Sequence, residues 1–179
     1  LNENMGQMLT PEFGDLDGDG DMDLLVGDFN GFIKYFENTG SNSSLSFTFV
    51  ENVGNIDLSG NSVPTLGDLD SDGDLDLLIG QLNGSLVFYR NVGSSSQYDF
   101  QIEPFDDIEV ESNSAPELTD SDNDGDLDLV LGSSGEGLYF YWNESGSNFQ
   151  FHLSFNLNVP IIGVNTKPAL GQLFDLNTL

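Results

Sequence analysis

The sequence predicts an all-β fold built from tandem four-stranded antiparallel units. The first observation is a repeat: an acidic segment followed by an apolar run starts at residues 15, 68 and 120, and each copy follows a proline, Pro11, Pro64 or Pro116. Long internal periods of this kind are typical of repeat architectures. The second observation is that the apolar runs are short, rich in β-formers and separated by glycines, whereas no segment shows a helical pattern.

Each unit is predicted to contain four strands. The first runs from the proline to the acidic segment, and the second is MDLLVGDF, LDLLIGQL or LDLVLGSS. Because Leu, Val and Ile follow one another without alternation, we expect the second strand to be covered on both faces. A glycine-containing turn leads to the third strand, FIKYFEN, LVFYRN or LYFYWN. After a loop rich in Ser, Gly and Asn, the fourth strand alternates apolar and polar residues, as at Phe47 and Phe49.

Four antiparallel strands in about 50 residues is the size of a β-propeller blade. The blades are predicted at residues 11–63, 64–115 and 116–167. Residues 1–10 are interpreted as the end of a preceding repeat and residues 168–179 as the start of a degenerate fourth repeat. A closed propeller needs about four blades or more. Three blades with partial flanking units therefore predict either an open array or a segment of a larger propeller.

The composition restricts the classes of partner. The chain has 31 acidic and 3 basic residues, for a net charge of -28. Such a surface repels nucleic acids and anionic membranes and attracts cations. The absence of cysteine excludes disulfides and thiolate metal sites. No apolar run approaches the length of a membrane span, so membrane insertion is not expected.

The acidic segments have the pattern of calcium loops. Calcium takes about six to eight oxygen ligands and tolerates irregular geometry. Alternate side chains of a tight loop can point inward together, and the glycine at position six, such as Gly20, allows a sharp turn. The predicted side-chain ligands, at positions one, three, five and nine, are Asp15, Asp17, Asp19 and Asp23; Asp68, Asp70, Asp72 and Asp76; and Asp120, Asp122, Asp124 and Asp128.

The aspartates at position seven are assigned a different role. Asp21, Asp74 and Asp126 are each expected to offer a backbone carbonyl to the ion, while their side chains face water and add only long-range charge. About three calcium ions are therefore expected, one per blade. Their role is expected to be structural, because a bound ion would relieve the repulsion between the crowded carboxylates.

The type of calcium loop follows from its surroundings. An EF-hand needs a bidentate Glu at position twelve between two helices, whereas apolar strand residues such as Val26 and Ile79 stand there. The segments FGDLDGDGDMDLLVG, LGDLDSDGDLDLLIG and LTDSDNDGDLDLVLG resemble the FG-GAP/VCBS repeat family, the blades of integrin-α-like β-propellers. The resemblance implies calcium bound between the first two strands of each blade and an extracellular role in adhesion or recognition. Gln172 and Phe174 replace aspartates in the last repeat, so we expect no complete site there.

Several other features are given a structural interpretation. The aromatic clusters at residues 35–36, 88–89 and 139–142 are expected to pack between blades rather than to form a platform for sugars. The single histidine, His152, has no nucleophile partner in the pattern of a catalytic triad. Carboxylates in a calcium loop are ionised and occupied, which does not suit the general acid of a glycosidase. The chain is therefore not predicted to be an enzyme. Asn42, Asn83 and Asn143 each begin an N-x-S sequon, and their glycosylation is left open.

Three hypotheses of function remain open. The first is a secreted or cell-surface module that binds a protein or glycan ligand, with structural calcium. The second is a structural protein whose copies assemble head to tail into filaments or a surface layer. The third is the non-catalytic propeller part of a secreted enzyme. The mass of the native particle distinguishes the first two hypotheses, because recognition favours a discrete monomer and assembly a polydisperse species.

Overall fold

The fold is that of a computed structural model, which describes residues 5–53, 56, 58, 60–105, 108–134, 137–144 and 149–157. Every secondary-structure element in these residues is a β-strand, which confirms the predicted all-β class. They form three four-stranded sheets that follow one another along the chain. No helix in this part of the chain has the length and apolar character required to cross a bilayer.

The strand bounds repeat from sheet to sheet. The first sheet contains β1 (Thr10–Gly14), β2 (Asp23–Gly27), β3 (Ile33–Asn38) and β4 (Phe47–Asn52). The second contains β5 (Val63–Gly67), β6 (Asp76–Gly80), β7 (Leu86–Asn91) and β8 (Phe100–Glu103). The third contains β9 (Ala115–Thr119), β10 (Asp128–Ser133), β11 (Gly137–Asn143) and β12 (Phe151–Leu157). Each first strand begins one residue before the proline that marks the predicted repeat.

Each sheet is an antiparallel meander in which strands adjacent in sequence are hydrogen-bonded neighbours. The register also repeats, since Pro11 lies opposite Val26 and Pro64 opposite Ile79. Because these prolines are on an edge strand, their missing N–H can be accommodated without loss of an internal ladder bond. The predicted four-stranded units are therefore confirmed, including the order of their strands.

The apolar core lies between successive sheets. Side chains of β6 alternate between two clusters, with Leu77 and Ile79 packed toward the first sheet and Leu78 toward the third. All three side chains are fully buried. The prediction that an uninterrupted apolar strand is covered on both faces is confirmed for β6, and the hydrophobic effect of these contacts holds the sheets together.

Aromatic residues complete both clusters. Tyr35 belongs to the first cluster and meets Tyr98 of the β7–β8 loop edge to face, with ring centroids 5.3 Å apart. Phe88 belongs to the second cluster and meets Phe149 in the same way at 5.1 Å. Such pairs add to the energy of burial. The interpretation of the aromatic clusters as packing between blades is thus confirmed for Tyr35 and Phe88.

The segments that join successive sheets, called connectors below, form backbone hydrogen bonds with both neighbouring sheets. The Asn61 N–H donates to the Phe29 carbonyl in the preceding β2–β3 turn (2.9 Å), and the Gly60 carbonyl accepts from Leu82 in the following β6–β7 turn (3.0 Å). The equivalent bonds recur one repeat later. The Gln7 carbonyl accepts from the Phe29 N–H (2.8 Å), so the chain before β1 makes the contact that a connector makes with the repeat after it.

A buried serine fastens each connector to the turn that precedes it. Ser114 is fully buried, and its Oγ accepts from the Gln81 N–H (2.7 Å) and donates to the Ser85 carbonyl (2.7 Å). Ser62 occupies the same place one repeat earlier, with bonds to Asp28 and Phe32. Because water has no access to these groups, the hydroxyl is needed to satisfy the turn.

The first strands of the sheets lie side by side. Glu12 of β1 accepts from the Leu66 N–H of β5 through Oε1 (3.2 Å), which connects the first two sheets. Across the described residues the sheets form an open array rather than a closed ring. The predicted start of a fourth repeat at residues 168–179 lies outside these residues, and the predicted blade boundaries stay predictions.

Replacing the serine of a connector tests its role. Ser114→Ala should lower the free energy of unfolding by about 1–3 kcal/mol, because the Gln81 N–H loses this acceptor in a dry environment. Urea denaturation in excess calcium measures the change. Ser94→Ala is the matched control, since Ser94 is exposed and its hydroxyl makes only long contacts of 3.4 Å. A loss for Ser114→Ala no larger than that of the control would contradict the role.

Candidate metal sites

The three acidic loops each connect the first two strands of a sheet and gather carboxylates into one cluster. In each cluster, one oxygen of every member lies within 4.8 Å of the others. The members are Asp15, Asp17 and Asp19 in the first loop; Asp68, Asp70 and Asp76 in the second; and Asp120, Asp122 and Asp124 in the third. The structure therefore brings together nine of the residues predicted as ligands.

The loop backbone is wrapped around the aspartate at position one. The N–H of the glycine at position six donates to it in all three loops: Gly20 to Asp15 Oδ2 (3.0 Å), Gly73 to Asp68 Oδ2 (3.0 Å) and Gly125 to Asp120 Oδ2 (3.2 Å). The aspartates at positions three and five accept from the N–H two residues further on, as Asp17 does from Asp19 (3.1 Å). These short-range bonds are the turns that Asp favours, and they repeat in each loop.

Two positions of each loop have left-handed backbone. The glycines at position six have φ between 92° and 100°, and an added Cβ would meet nothing within 4 Å, so their requirement is conformational rather than steric. Position four is also left-handed, with φ of 74° at Gly18, 62° at Ser71 and 63° at Asn123. This second position was not predicted from the sequence. Its signal was the restriction of position four to Gly, Ser and Asn.

Some carboxylate oxygens in the loops are buried without a donor. The Oδ1 atoms of Asp21, Asp74 and Asp120 have no hydrogen-bond partner within the protein. Asp74 as a whole is only 8% exposed, so the expectation that side chains at position seven face water is wrong for this residue. A buried carboxylate oxygen without a partner is costly. A cation in the loop is the partner that would remove this cost.

The electrostatics agree with this arrangement. Burial, and then repulsion from Asp72, Asp70 and Asp68, raise the pKa of Asp74 to about 6. Burial likewise raises the pKa of Asp17 and Asp122, with repulsion from neighbouring aspartates adding to it. The loops therefore retain protons, or take up other cations, more readily than isolated aspartates do.

The aspartates at position nine are the first residues of β2, β6 and β10 and are almost fully buried. Each joins two parts of its sheet. Asp76 Oδ2 accepts from the Leu69 N–H of the loop (3.1 Å), and its Oδ1 accepts from the Asn91 N–H at the end of β7 (2.8 Å). Burial raises the pKa of Asp76 to about 6 although these two bonds oppose the shift. Position nine belongs to the gathered carboxylates in the second loop alone, through Asp76. Its ligand role stays a prediction, and the structure gives it a bridging role in addition.

The other two repeats contain the same bridge. Asp23 accepts from Leu16 and Asn38, and its Oδ2 also accepts from the Tyr35 hydroxyl (2.9 Å). Burial, followed by the bond to Asp23, raises the pKa of Tyr35. Asp128 accepts from Ser121 (2.9 Å) and Asn143 (3.0 Å).

The asparagine that ends each third strand was not identified as a site residue from the sequence. Its backbone N–H donates to the aspartate at position nine, and its side chain organises the loop that leads to the fourth strand. Asn91 Oδ1 accepts from Gly93 (3.1 Å) and Asp99 (2.9 Å), and Asn38 does the same with Gly40 and Ser46. The signal in the sequence was an Asn in one register after all three third strands. Asn143 was noted only as part of a sequon.

The sequons have different surroundings. Asn42 contacts the first acidic loop, because its Nδ2 donates to the Gly20 carbonyl (2.8 Å) and its Oδ1 accepts from the Met22 N–H (3.1 Å). Asn143 is only 3% exposed, so its side chain is not accessible for glycosylation in this fold. Asn83 is exposed in the β6–β7 turn and bonds to Ser85.

The groups that these loops present fit a hard divalent cation. The gathered side chains are all carboxylates, and hard oxygen ligands of this kind suit calcium and magnesium rather than zinc or copper. The unpartnered oxygens of Asp21, Asp74 and Asp120 are the atoms that such an ion would satisfy. An irregular loop of this type favours calcium over magnesium, which demands near-octahedral geometry.

The raised pKa values predict an unusual dependence of stability on pH. Asp74 and Asp76 have a pKa of about 6 in the folded protein and an ordinary value of 3.8, so the folded state binds more protons between these values. Their protonated forms stabilise the fold fully below the ordinary value, and this contribution is lost as the pH rises through about 6. Thermal melting without calcium should therefore show a higher midpoint at pH 5 than at pH 7.

Saturating calcium is the control, since ion and protons compete for the same oxygens and the trend should weaken or reverse. Asp74→Asn should weaken the trend in the calcium-free protein. A calcium-free melting temperature that stays level or falls between pH 7 and pH 5 would be inconsistent with these carboxylates as described.

Comparison with known families agrees with the repeat and its loops. The model of the FG-GAP-like repeat matches the chain twice, over residues 15–79 and 68–131. Each match begins at the first aspartate of an acidic loop and ends in the second strand of the following sheet. No curated protein matches the sequence. Together the two matches span well over half of the 179 residues. The chain therefore belongs to the FG-GAP-like repeat family.

Proposed function

We propose that the chain is an extracellular recognition or adhesion module whose sheets are stabilised by calcium, with about three ions per chain. Membership of the FG-GAP-like repeat family suggests the coarse role. The observation that carries the calcium role is the recurrence of one loop in three repeats, with carboxylates gathered within 4.8 Å and buried oxygens that have no donor. Exposed acidic groups are common without an ion, but a cluster that recurs in the same loop of three repeats is what a bound ion would require.

The residues that would hold the ion are the carboxylates gathered at each loop. In the first loop these are the side chains of Asp15, Asp17 and Asp19, with the Asp21 carbonyl and the Asp23 carboxylate as further candidates. Calcium would supply positive charge where the carboxylates repel one another most. The chain's own part is to hold the oxygens close together through the N–H groups of the loop.

The place of the loops supports a structural role for calcium. The aspartate at position nine links the loop to the end of the third strand, and the asparagine there organises the next loop. An ion that fixes the acidic loop therefore stabilises the start of the second strand and, through that strand, the whole sheet. Ligands would then bind to surfaces other than the acidic loops.

The charge of the chain supports an extracellular location. Three bound calcium ions would still leave a net charge of about -22 from the -28 of the sequence. Such a chain repels nucleic acid and anionic membranes, which favours a protein or glycan ligand, or copies of itself, as partner. Extracellular calcium modules bind at about 0.1–1 mM. At ten times the dissociation constant, one site contributes about 1.4 kcal/mol.

Self-assembly is a second candidate, and the outward faces of the end sheets favour it. On the third sheet, Val130, Phe140, Trp142 and Phe155 line an apolar depression. On the first sheet, Phe13 is 52% exposed. A head-to-tail contact between copies could bury both faces and would extend rather than close.

Thermal melting with and without calcium tests the calcium role. Three sites at saturation should raise the melting temperature by about 5–15 °C over the chelated protein. The triple variant Asp17→Asn, Asp70→Asn and Asp122→Asn should lose most of this rise. Its charge-matched control is Glu109→Gln, Glu111→Gln and Glu144→Gln, which changes exposed residues outside the loops and should retain it. Equal melting temperatures of the wild-type protein in calcium and chelator would refute the calcium role.

Sedimentation of the purified chain in millimolar calcium separates the two candidate functions. A discrete monomer over a wide concentration range is the expected result for recognition. A series of larger species that disappears in a Phe155→Ser variant would instead favour assembly, because Phe155 lies on an outward face.

A further inference from the structure

The second acidic loop differs from the other two because a basic side chain reaches into it. Arg90 of β7 contacts Asp70 Oδ2 through Nη1 at 2.6 Å and Glu103 Oε2 through Nε at 3.1 Å. The Asp70 side chain is 9% exposed, whereas that of Arg90 is 33% exposed. Asp70 stands at position three of the loop and belongs to its carboxylate cluster.

The other loops have no such cation among the described residues. Arg90 immediately precedes Asn91, and the same register holds Glu37 before Asn38 and Trp142 before Asn143. Among the described residues, the basic ones are Arg90 and Lys34. The Lys34 ammonium contacts Asp28 in the β2–β3 turn (3.0 Å). The three loops therefore share one backbone geometry, but the second loop has one more positive charge in contact with it than the other two.

The contact occupies one of the two carboxylate oxygens that Asp70 can offer to an ion. Asp70 Oδ1 accepts from the Asp72 N–H (3.2 Å), and Asp70 Oδ2 is held by Arg90. An ion in this cluster must therefore either displace the guanidinium from Asp70 or bind beside its positive charge. Both reduce affinity, the first by breaking a charge-assisted hydrogen bond and the second by repulsion.

We propose that Arg90 is a built-in counterion of the second loop and makes it the weakest of the three calcium sites, so that the chain fills its sites in two stages. The inference rests on the proposed calcium role. The expected difference in dissociation constant from the other two sites is about tenfold, the order of magnitude for one unit charge close to a partly exposed ion.

Glu103 positions the guanidinium. It lies on β8, accepts from Nε, and is 39% exposed. With Glu103 in place, Arg90 divides its charge between two carboxylates. If the Glu103 carboxylate were removed, Asp70 would be the carboxylate left of these two for the Arg90 guanidinium. Arg90 would then compete more strongly with a calcium ion for Asp70.

The amides of Gly20, Gly73 and Gly125 report on the three sites separately. Each N–H donates to the aspartate at position one of its own loop, so its resonance should move when an ion binds there. A calcium titration of the ¹⁵N-labelled chain, followed by two-dimensional NMR, gives one midpoint for each site. In the wild-type protein, the Gly73 midpoint should lie at about tenfold higher calcium than the other two.

Two variants should move the Gly73 midpoint in opposite directions. Arg90→Gln should lower it to the range of Gly20 and Gly125, and Glu103→Gln should raise it. The Gly20 and Gly125 midpoints serve as internal controls and should change little in both variants. Damage to the fold would weaken binding in both cases, so tighter binding in Arg90→Gln cannot come from misfolding.

The outcomes separate this inference from the proposed calcium role. If none of the three amides responds to millimolar calcium, the calcium role itself fails. If all three respond with one common midpoint, or if Arg90→Gln leaves the Gly73 midpoint unchanged, calcium binding stands and the role of Arg90 is overturned.

Discussion

The constraint on which each repeat depends is the repulsion between carboxylates placed directly beside the entry of a buried strand. The aspartate at position nine is both the last acidic residue of the loop and the first residue of the central strand, as Asp76 shows. The second loop therefore cannot spread apart without moving β6, whose side chains fill both inter-sheet cores. Backbone N–H groups balance part of the charge, and buried oxygens such as Asp74 Oδ1 remain without a donor.

This local constraint extends through the molecule by a few repeated bonds. Asp76 joins its loop to Asn91, and Asn91 organises the loop before the fourth strand. Connectors such as the one ending at Ser114 then fix each sheet to its neighbours through buried hydrogen bonds. Because each sheet packs mainly on the next along the chain, stability is expected to depend on the individual sheets and on the interfaces between neighbours. Neutralising one loop should thus stabilise the adjacent sheets as well.

The sequence was sufficient to predict the strands, their order and the gathering of the acidic residues, because periodic patterns and short-range turns determine these features. It was not sufficient for contacts that depend on where distant strands meet. The bridge from Asp76 to Asn91 and the ion pair of Arg90 with Asp70 both require the third strand to lie beside the loop. The burial of Asp74 was also not predicted. Asn91 had a visible signal in its repeated register, whereas Arg90 occurs in one repeat alone and had none.

The central claim is that divalent cations occupy the acidic loops and neutralise them. A crystal structure of the chain grown in calcium, with anomalous scattering used to identify the ion, tests this claim most directly. We expect anomalous density in each of the three loops, in contact with the carboxylates of positions one, three and five in the first and third loops and of positions one, three and nine in the second. Well-ordered loops that contain only water at millimolar calcium would contradict it.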